Sequence, residues 1–490
     1  MLSQKETDSA EARVRPRIVV IGAGISGLTA AYKLTKYGAD GEGLQPQVLL
    51  LEASPRAGGT ISTYNFDDVI LELGPDSFIT QKPAALELCR ELGIEHRLIN
   101  TRPSFRRTFI ARNGKLLPLP EGFFMVGPTN VAALFGSELF SWRGKLRMAL
   151  EPFIRRRSSS EDESIAKFVE RRFGKECLER AAEPLAAGIY TGDVDKLSMR
   201  SSFPKLHDME AIYGSIVKGF NNQHPSKSHE SGARYSLFVA PDEGMSVIVN
   251  ALVQQLPPGC LRTHTLVSQL RRTPGGQGWQ LVLHDGQMIQ CDAVIIATAA
   301  HQAARILNAV PVLKEQLQKI EHASSAVLNL IYQRKDVKHP LDGFGFVVPR
   351  SEKSALLACS FASVKWNNRV PDDKVLLRVF VGGTADPEIY DYSDEHIECL
   401  IWQDLNTYLG IDALPRLAVI SRFHKGMPQY NLGHADIVSG IENELQNIPG
   451  LALAGNAFGG VGIPDCVASG QRAAAAVMAA LSIQAKGETA

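Results

Sequence analysis

Apolar residues fall into short unbroken runs and longer helical stripes along this chain, and the runs mark its strands. Arg17-Ile18-Val19-Val20-Ile21 is apolar and β-branched without alternation, as a parallel strand covered on both faces requires. Gly22-Ala23-Gly24-Ile25-Ser26-Gly27 follows, and apolar spacing then turns helical through Ala31. A second run, Val48 to Glu52, ends in an acid after the loop Gly38–Gln47. Leu261–Leu270 and Trp279–His284 read as strands, with Asp285-Gly286 as a hairpin turn. Asp292–Ala299 is another buried strand ending in small residues, and residues 306–439 alternate apolar runs with turns, as a sheet would. Leu451–Asn456 is a last strand, followed by a glycine turn at 459–464 and an alanine-rich helix, Asp465–Leu481.

Between the first two strands and the meander the texture is helical. Ser141–Arg157 carries Trp142, Leu146, Leu150, Phe153 and Ile154 at helical spacing among Arg143, Lys145, Arg147 and Arg155 to Arg157. Two readings stand: a basic amphipathic helix lying on a membrane surface, or a surface helix whose stripe faces the core. Ser158-Ser159-Ser160 opens a helical stretch to about Ala187, and Asn221–Gly232 is a polar loop. Residues 1–15 mix both charges, lack an apolar segment, and read as a frayed tail. No run of 18 or more residues reads as predominantly apolar, which argues against a transmembrane helix.

Composition narrows the function classes. At 490 residues the chain exceeds what one core usually serves. Lys+Arg and Asp+Glu are both 52, a balance that argues against a general nucleic-acid binder. Seven scattered cysteines form no C-x-x-C and there is no H-E-x-x-H, so neither a disulfide framework nor a zinc site is expected.

The chemistry begins at Gly22, Gly24 and Gly27, a G-x-G-x-x-G with a strand before it and a helix after it. The first glycine permits the tight turn, the second lets backbone approach a pyrophosphate, and the third lets helix pack on sheet. The helix N-terminus supplies free N–H groups to that anion. Glu52 stands where a carboxylate accepts from ribose hydroxyls. A second glycine turn, Gly459 to Pro464, also sits at a helix start near the other end of the chain. One fingerprint at the N-terminus and a closing glycine turn at the C-terminus favour FAD over NAD.

Beyond these turns the chain resembles the oxygen-dependent protoporphyrinogen oxidase family of monoamine-oxidase-like flavoproteins, with which coproporphyrinogen III oxidase is closely related. The blocks are GAGISGL at 22–28, LEASPRAGG at 51–59, LELGPDSF at 71–78, LSMRSSFP at 197–204, GFGFVVP at 343–349, RVFVGG at 378–383, PQYNLGH at 428–434 and GVGIPDCVASG at 460–470. The resemblance implies α/β with α+β architecture in three parts. These are a discontinuous two-dinucleotide-binding, Rossmann-like FAD domain (16–100, 232–305 and 440–485), a sheet-based substrate domain (101–124 and 306–439) and a mainly helical, membrane-associating domain (125–231).

It also implies roles by position. Gly22, Ala23, Gly24, Ile25, Ser26 and Gly27 would hold the pyrophosphate and Glu52 the adenosine ribose, with Ala53, Arg56, Gly59 and Thr60 beside them. Gly74, Pro75, Asp76 and Ser77 would approach the flavin, Val267 would contact the adenine, Val461, Gly462 and Ile463 would sit against the flavin and its pyrophosphate, and Asn456 would also bind the cofactor. Phe344, Val347 and Phe380 would sandwich a tetrapyrrole. The family's propionate-binding arginine falls at Thr108, leaving Arg106 and Arg107 just upstream as candidates. Arg102, Arg106, Arg107 and Arg112 together could serve extra carboxylates. The implied reaction is six-electron oxidation of protoporphyrinogen IX by O₂, giving three H₂O₂; coproporphyrinogen III oxidation and, more distantly, flavin amine oxidation are alternatives. No residue is assigned as general acid or base. Implied surroundings are the cytoplasm, peripheral attachment to the inner face of the cell membrane, a homodimer, and product hand-off to a ferrochelatase.

Overall fold

The computed structural model describes residues 15–37, 45–159, 161–222, 237–274, 276 and 278–487. Most of the expected tail, the Gly38–Gln47 loop up to residue 44, and the Asn221–Gly232 loop beyond Asn222 lie outside the described residues.

Five strands from distant parts of the chain form one parallel sheet, in the order Leu261–Arg262, Gln47–Leu51, Arg17–Ile21, Ala293–Ile296, Leu451–Leu453. Ile18, Val20, Ile295 and Ala452 face one side, against helices Ile25–Lys36 and Ile463–Gly487; Val19, Ile21, Val294 and Ile296 face the other. Burial on both faces is why these strands read as unbroken apolar runs. The expected strand Leu261–Leu270 is split. His264 takes a left-handed backbone (φ 51°) and turns the chain, so Leu261–Arg262 joins the parallel sheet while Val267–Arg272 opens an antiparallel meander.

Helix Ile463–Gly487 corrects one expectation. Its Ile463–Ile483 segment is long and apolar enough to cross a membrane, with mean hydropathy 1.3. Half of it is buried inside the fold, and a Cβ at Gly470 would stand 2.2 Å from the Ser26 carbonyl oxygen. A core helix satisfies the same composition.

A seven-stranded sheet runs Leu417–Pro428, His322–Gln333, Lys374–Gly382, Leu356–Phe361, Gly345–Val347, Thr108–Arg112, Lys115–Pro118. Alternation gives its strand Lys374–Gly382 two faces. Val375, Leu377, Val379 and Val381 pack with Phe109, Phe346 and helix Asp394–Leu409, leaving Leu376, Arg378 and Phe380 on the opposite face.

The helical region has its own core around Phe168, Phe173, Met199 and Tyr190. Residues 158, 159 and 161–163 are not helical; Ser164 caps helix Ile165–Phe173, and Gly174 (φ 93°) breaks what the apolar spacing suggests is continuous. Trp142, Leu146, Leu150 and Phe153 are 66, 56, 53 and 82% exposed, while Gly144, Lys145 and Met148 make the buried face. The core-facing reading of that stripe is therefore wrong for these four residues. Glu151, inside the same segment, is fully buried: it pairs with Arg172 and accepts from Ser215 Oγ (2.5 Å) and Ile216 N (3.0 Å), anchoring the exposed turn.

Candidate active site

The first glycine turn is built around Glu52. Its carboxylate accepts Ala23 N–H at 2.7 Å and Ser54 N–H at 2.8 Å, one per oxygen, so each oxygen keeps acceptor capacity for a hydroxyl. Gly22 needs its positive φ (96°), and a Cβ on Gly27 would sit 1.9 Å from the Gly22 carbonyl oxygen. Space around Gly24 is open, and no side chain caps helix Ile25–Lys36. Open space before uncapped N–H groups fits a pyrophosphate.

Arg56 is engaged with the backbone of the second turn. Its guanidinium bonds the carbonyls of Ile61 (2.9 Å) and Gly59 (2.8 Å), shaping the second turn, and Gly58 N–H donates to Ala23 O at 2.8 Å. Ala53, Gly59 and Thr60 are exposed on that turn's surface. Val267 packs its side chain with Leu51 and Ile296, so an adenine there would meet its backbone.

The Gly74–Ser77 turn is pinned from the seven-stranded sheet. Gly74 lies against the Thr60 carbonyl, which a Cβ would meet at 1.8 Å. Arg378 bonds the Gly74 carbonyl and stands 3.2 Å from the Asp76 carboxylate, whose other cation is Lys365 at 2.8 Å. Burial alone would raise the Asp76 carboxyl, but the Lys365 and Arg378 charges hold it well below the usual range. Nearby, burial pushes Glu72 up despite Arg369 at 3.3 Å.

The C-terminal turn is held by Tyr430. Its buried hydroxyl donates to the Asn456 carbonyl and accepts Gly460 N–H at 2.9 Å, and its ring stacks on His434 at 4.2 Å. Asp465, in the first turn of the following helix, pairs with Lys82 at 2.8 Å.

Cross-strand register sets the apolar wall. Ile110, Val347, Ala358, Phe380, Val327 and Ser421 form one row across six strands of the large sheet. Val347 and Val461 both pack against the helical core, so the sheet, the C-terminal turn and the helical region converge there. Phe380 belongs to no buried cluster, and the Arg378 guanidinium lies 5.4 Å from its ring. Phe344 is half-buried just before the row. Next to Val347 a cavity of about 460 Å³ is lined by Ala187, Val348 and Arg350, with Arg350 paired to Glu183 (3.3 Å) and Asp193 (3.2 Å).

The four-arginine cluster does not assemble. Arg102 bonds Asn367 (2.6 Å) and Arg112 bonds the Leu139 carbonyl (2.6 Å), each tying loops together. Arg106 and Arg107 are exposed, Arg107 pairing with Asp342 at 3.0 Å. Thr108 shares the Ile110 face of its strand, opposite Phe109 and Ala111.

The family model for flavin containing amine oxidoreductases matches residues 25–478. A coproporphyrinogen III oxidase of Bacillus subtilis (strain 168) is 34% identical over 94% of this chain and 97% of its own. The chain belongs to the flavin-containing amine oxidoreductases, in their protoporphyrinogen and coproporphyrinogen III oxidase branch. A mitochondrial protoporphyrinogen oxidase of Nicotiana tabacum is 28% identical over 95% of each chain. A crystal structure from Exiguobacterium sp. 255-15, assigned as a protoporphyrinogen oxidase, superposes with TM-score 0.83 at 28% identity, covering 95% of this chain and 99% of that one. As a member of this family the chain takes FAD.

The family blocks thus coincide with the turns described, but their partners were not legible in them. Arg378 lies inside RVFVGG and Tyr430 inside PQYNLGH, and a charged or hydroxylated residue between apolar ones is the only signal that either carries. Lys365 and Arg350 carried no signal.

Proposed function

We propose that this chain oxidises a porphyrinogen to the porphyrin, with O₂ as final acceptor. The observation that carries the reading is likeness from end to end, 94% of this chain and 97% of the other, to an enzyme named for a porphyrinogen. FAD, when bound, accepts two electrons at a time, so a six-electron oxidation takes three rounds. The chain's own residues bind and orient. Gly22 to Gly27 and Glu52 hold the adenosine diphosphate end, while Gly74 to Ser77 and Asn456 to Ile463 meet the flavin end. Val347 and Phe380, with Phe344 beside them, form the apolar wall that holds the macrocycle and excludes water. Arg106 and Arg107 are the proposed propionate partners; both are exposed, and Arg107 would have to exchange Asp342 for substrate.

Protoporphyrinogen IX is the substrate expected from the sequence. Coproporphyrinogen III is a second reading with specific support, because the B. subtilis relative named for it is 34% identical, against 28% for the tobacco protoporphyrinogen oxidase. Aerobic turnover of the two porphyrinogens, followed by porphyrin fluorescence, separates them: a higher kcat/KM on coproporphyrinogen III selects the second reading. Turnover of neither, with activity on amines, overturns both.

The exposed stripe Trp142, Leu146, Leu150 and Phe153, flanked by Arg143 and Arg155, supports peripheral attachment to an anionic membrane surface. We place the protein in the cytoplasm on the inner face of the cell membrane, handing its product to a ferrochelatase.

A further inference from the structure

Segment 429–434 sits where three parts of the molecule meet. Gln429 N–H donates to the Glu321 carbonyl (2.8 Å) at the start of the large sheet. Tyr430 carbonyl accepts Ser198 N–H from the helical region (2.7 Å), and Asp162 of that region accepts Gly433 N–H (3.1 Å) and Ser198 Oγ (2.8 Å). The Tyr430 ring packs in the helical core, 5.9 Å from the Tyr190 ring, and its hydroxyl reaches the C-terminal turn.

A core aromatic needs only its ring. Here the hydroxyl bonds two backbone groups of one turn, the Asn456 carbonyl and Gly460 N–H, four residues apart. Gly460 takes φ 135°, and a Cβ there would lie 2.3 Å from Asp465 Cγ, so only glycine fits at the end of that turn. A hydroxyl that donates and accepts at once ties the two ends of the turn together. Burial raises the Tyr430 phenol, so it stays protonated and keeps its donor, and burial pushes the stacked His434 down to about 4, so it stays neutral.

We propose that Tyr430 is a positioning residue whose hydroxyl fixes the Asn456–Gly460 turn in the shape that receives the flavin and links that shape to the helical region. It touches neither substrate nor reacting atoms; it acts through the backbone that does. The inference rests on the proposed placement of the flavin at this turn.

The test is Tyr430→Phe in the full chain, with His434→Phe as the control that keeps an aromatic stack. Y430F should raise the FAD dissociation constant about 5- to 20-fold, as loss of two buried hydrogen bonds implies. It should also shift the visible flavin spectrum and speed amide exchange across 456–460 in the holoprotein, with KM for porphyrinogen nearly unchanged while kcat falls. H434F should move these readouts less. Unchanged FAD affinity, spectrum and exchange in Y430F overturn the proposal. So does a Y430F protein whose only change is a lower unfolding temperature. These readouts need no substrate, so failure of the wild type to oxidise porphyrinogens would sink the proposed function while leaving this test intact.

Discussion

Arg378 reaches across from the large sheet to stand 3.2 Å from Asp76, and two residues along the same face is Phe380. One strand therefore fixes the turn expected beside the flavin and presents the aromatic expected beside the substrate. Asp76 pairs with both Lys365, at 2.8 Å, and Arg378. Asp76→Asn leaves buried Arg378 and half-buried Lys365 without this carboxylate, and unfolding free energy should fall by about 3–5 kcal/mol. Urea unfolding of the holoprotein measures it; a change under 1 kcal/mol (about the worth of an exposed pair) would show that the pair is screened.

Glu52 shapes the first turn through Ala23 and Ser54 as well as offering acceptors to a ribose. Glu52→Ala should weaken FAD binding at least 10-fold, about 1.4 kcal/mol. Unchanged flavin content after gel filtration would contradict the ribose assignment.

Phe380→Ala should raise KM for porphyrinogen about 10-fold while FAD affinity moves less than 2-fold, since roughly 1–2 kcal/mol follows from losing part-buried aromatic contact. An unaffected KM returns Phe380 to a packing role.

These sites were unequally legible in sequence. The strand-turn-helix at Arg17 to Lys36 is local: apolar run, glycine spacing and acid all lie within one βαβ unit, so chain order alone exposes it. Arg378 with Asp76 and Tyr430 with Gly460 are contacts made by topology, between residues whose neighbours in sequence say nothing of their partners. Neighbours in sequence likewise part company around Ile110: Arg102 is bonded to Asn367 and Arg112 to the Leu139 carbonyl, in different loops. The Trp142 stripe was undecidable because amphipathic spacing shows that one face is apolar, not what covers it.

That stripe yields a direct test. Replacing Trp142 and Phe153 by Glu should reduce co-sedimentation with anionic lipid vesicles about 10-fold or more, with FAD content intact. Equal sedimentation would mean the exposed face serves another partner.

His434 gives stability a pH dependence. Burial holds its imidazole near about 4 in the fold, against 6.5 when unfolded. The unfolded chain therefore binds more protons between those values, so this contribution is complete above pH 6.5 and is lost as pH falls toward 4. The loss is at most about 3 kcal/mol, and His434→Phe should flatten that part of the Tm profile. A wild-type Tm that is flat from pH 7 to 5 would contradict it.

The central claim is porphyrinogen oxidation coupled to O₂, and stoichiometry tests it most directly. With purified holoprotein and a porphyrinogen in air, porphyrin fluorescence should rise only with enzyme present, with three H₂O₂ formed per porphyrin, as six electrons taken in pairs demand. Porphyrin appearing at the enzyme-free rate, or without matching H₂O₂, would contradict the account.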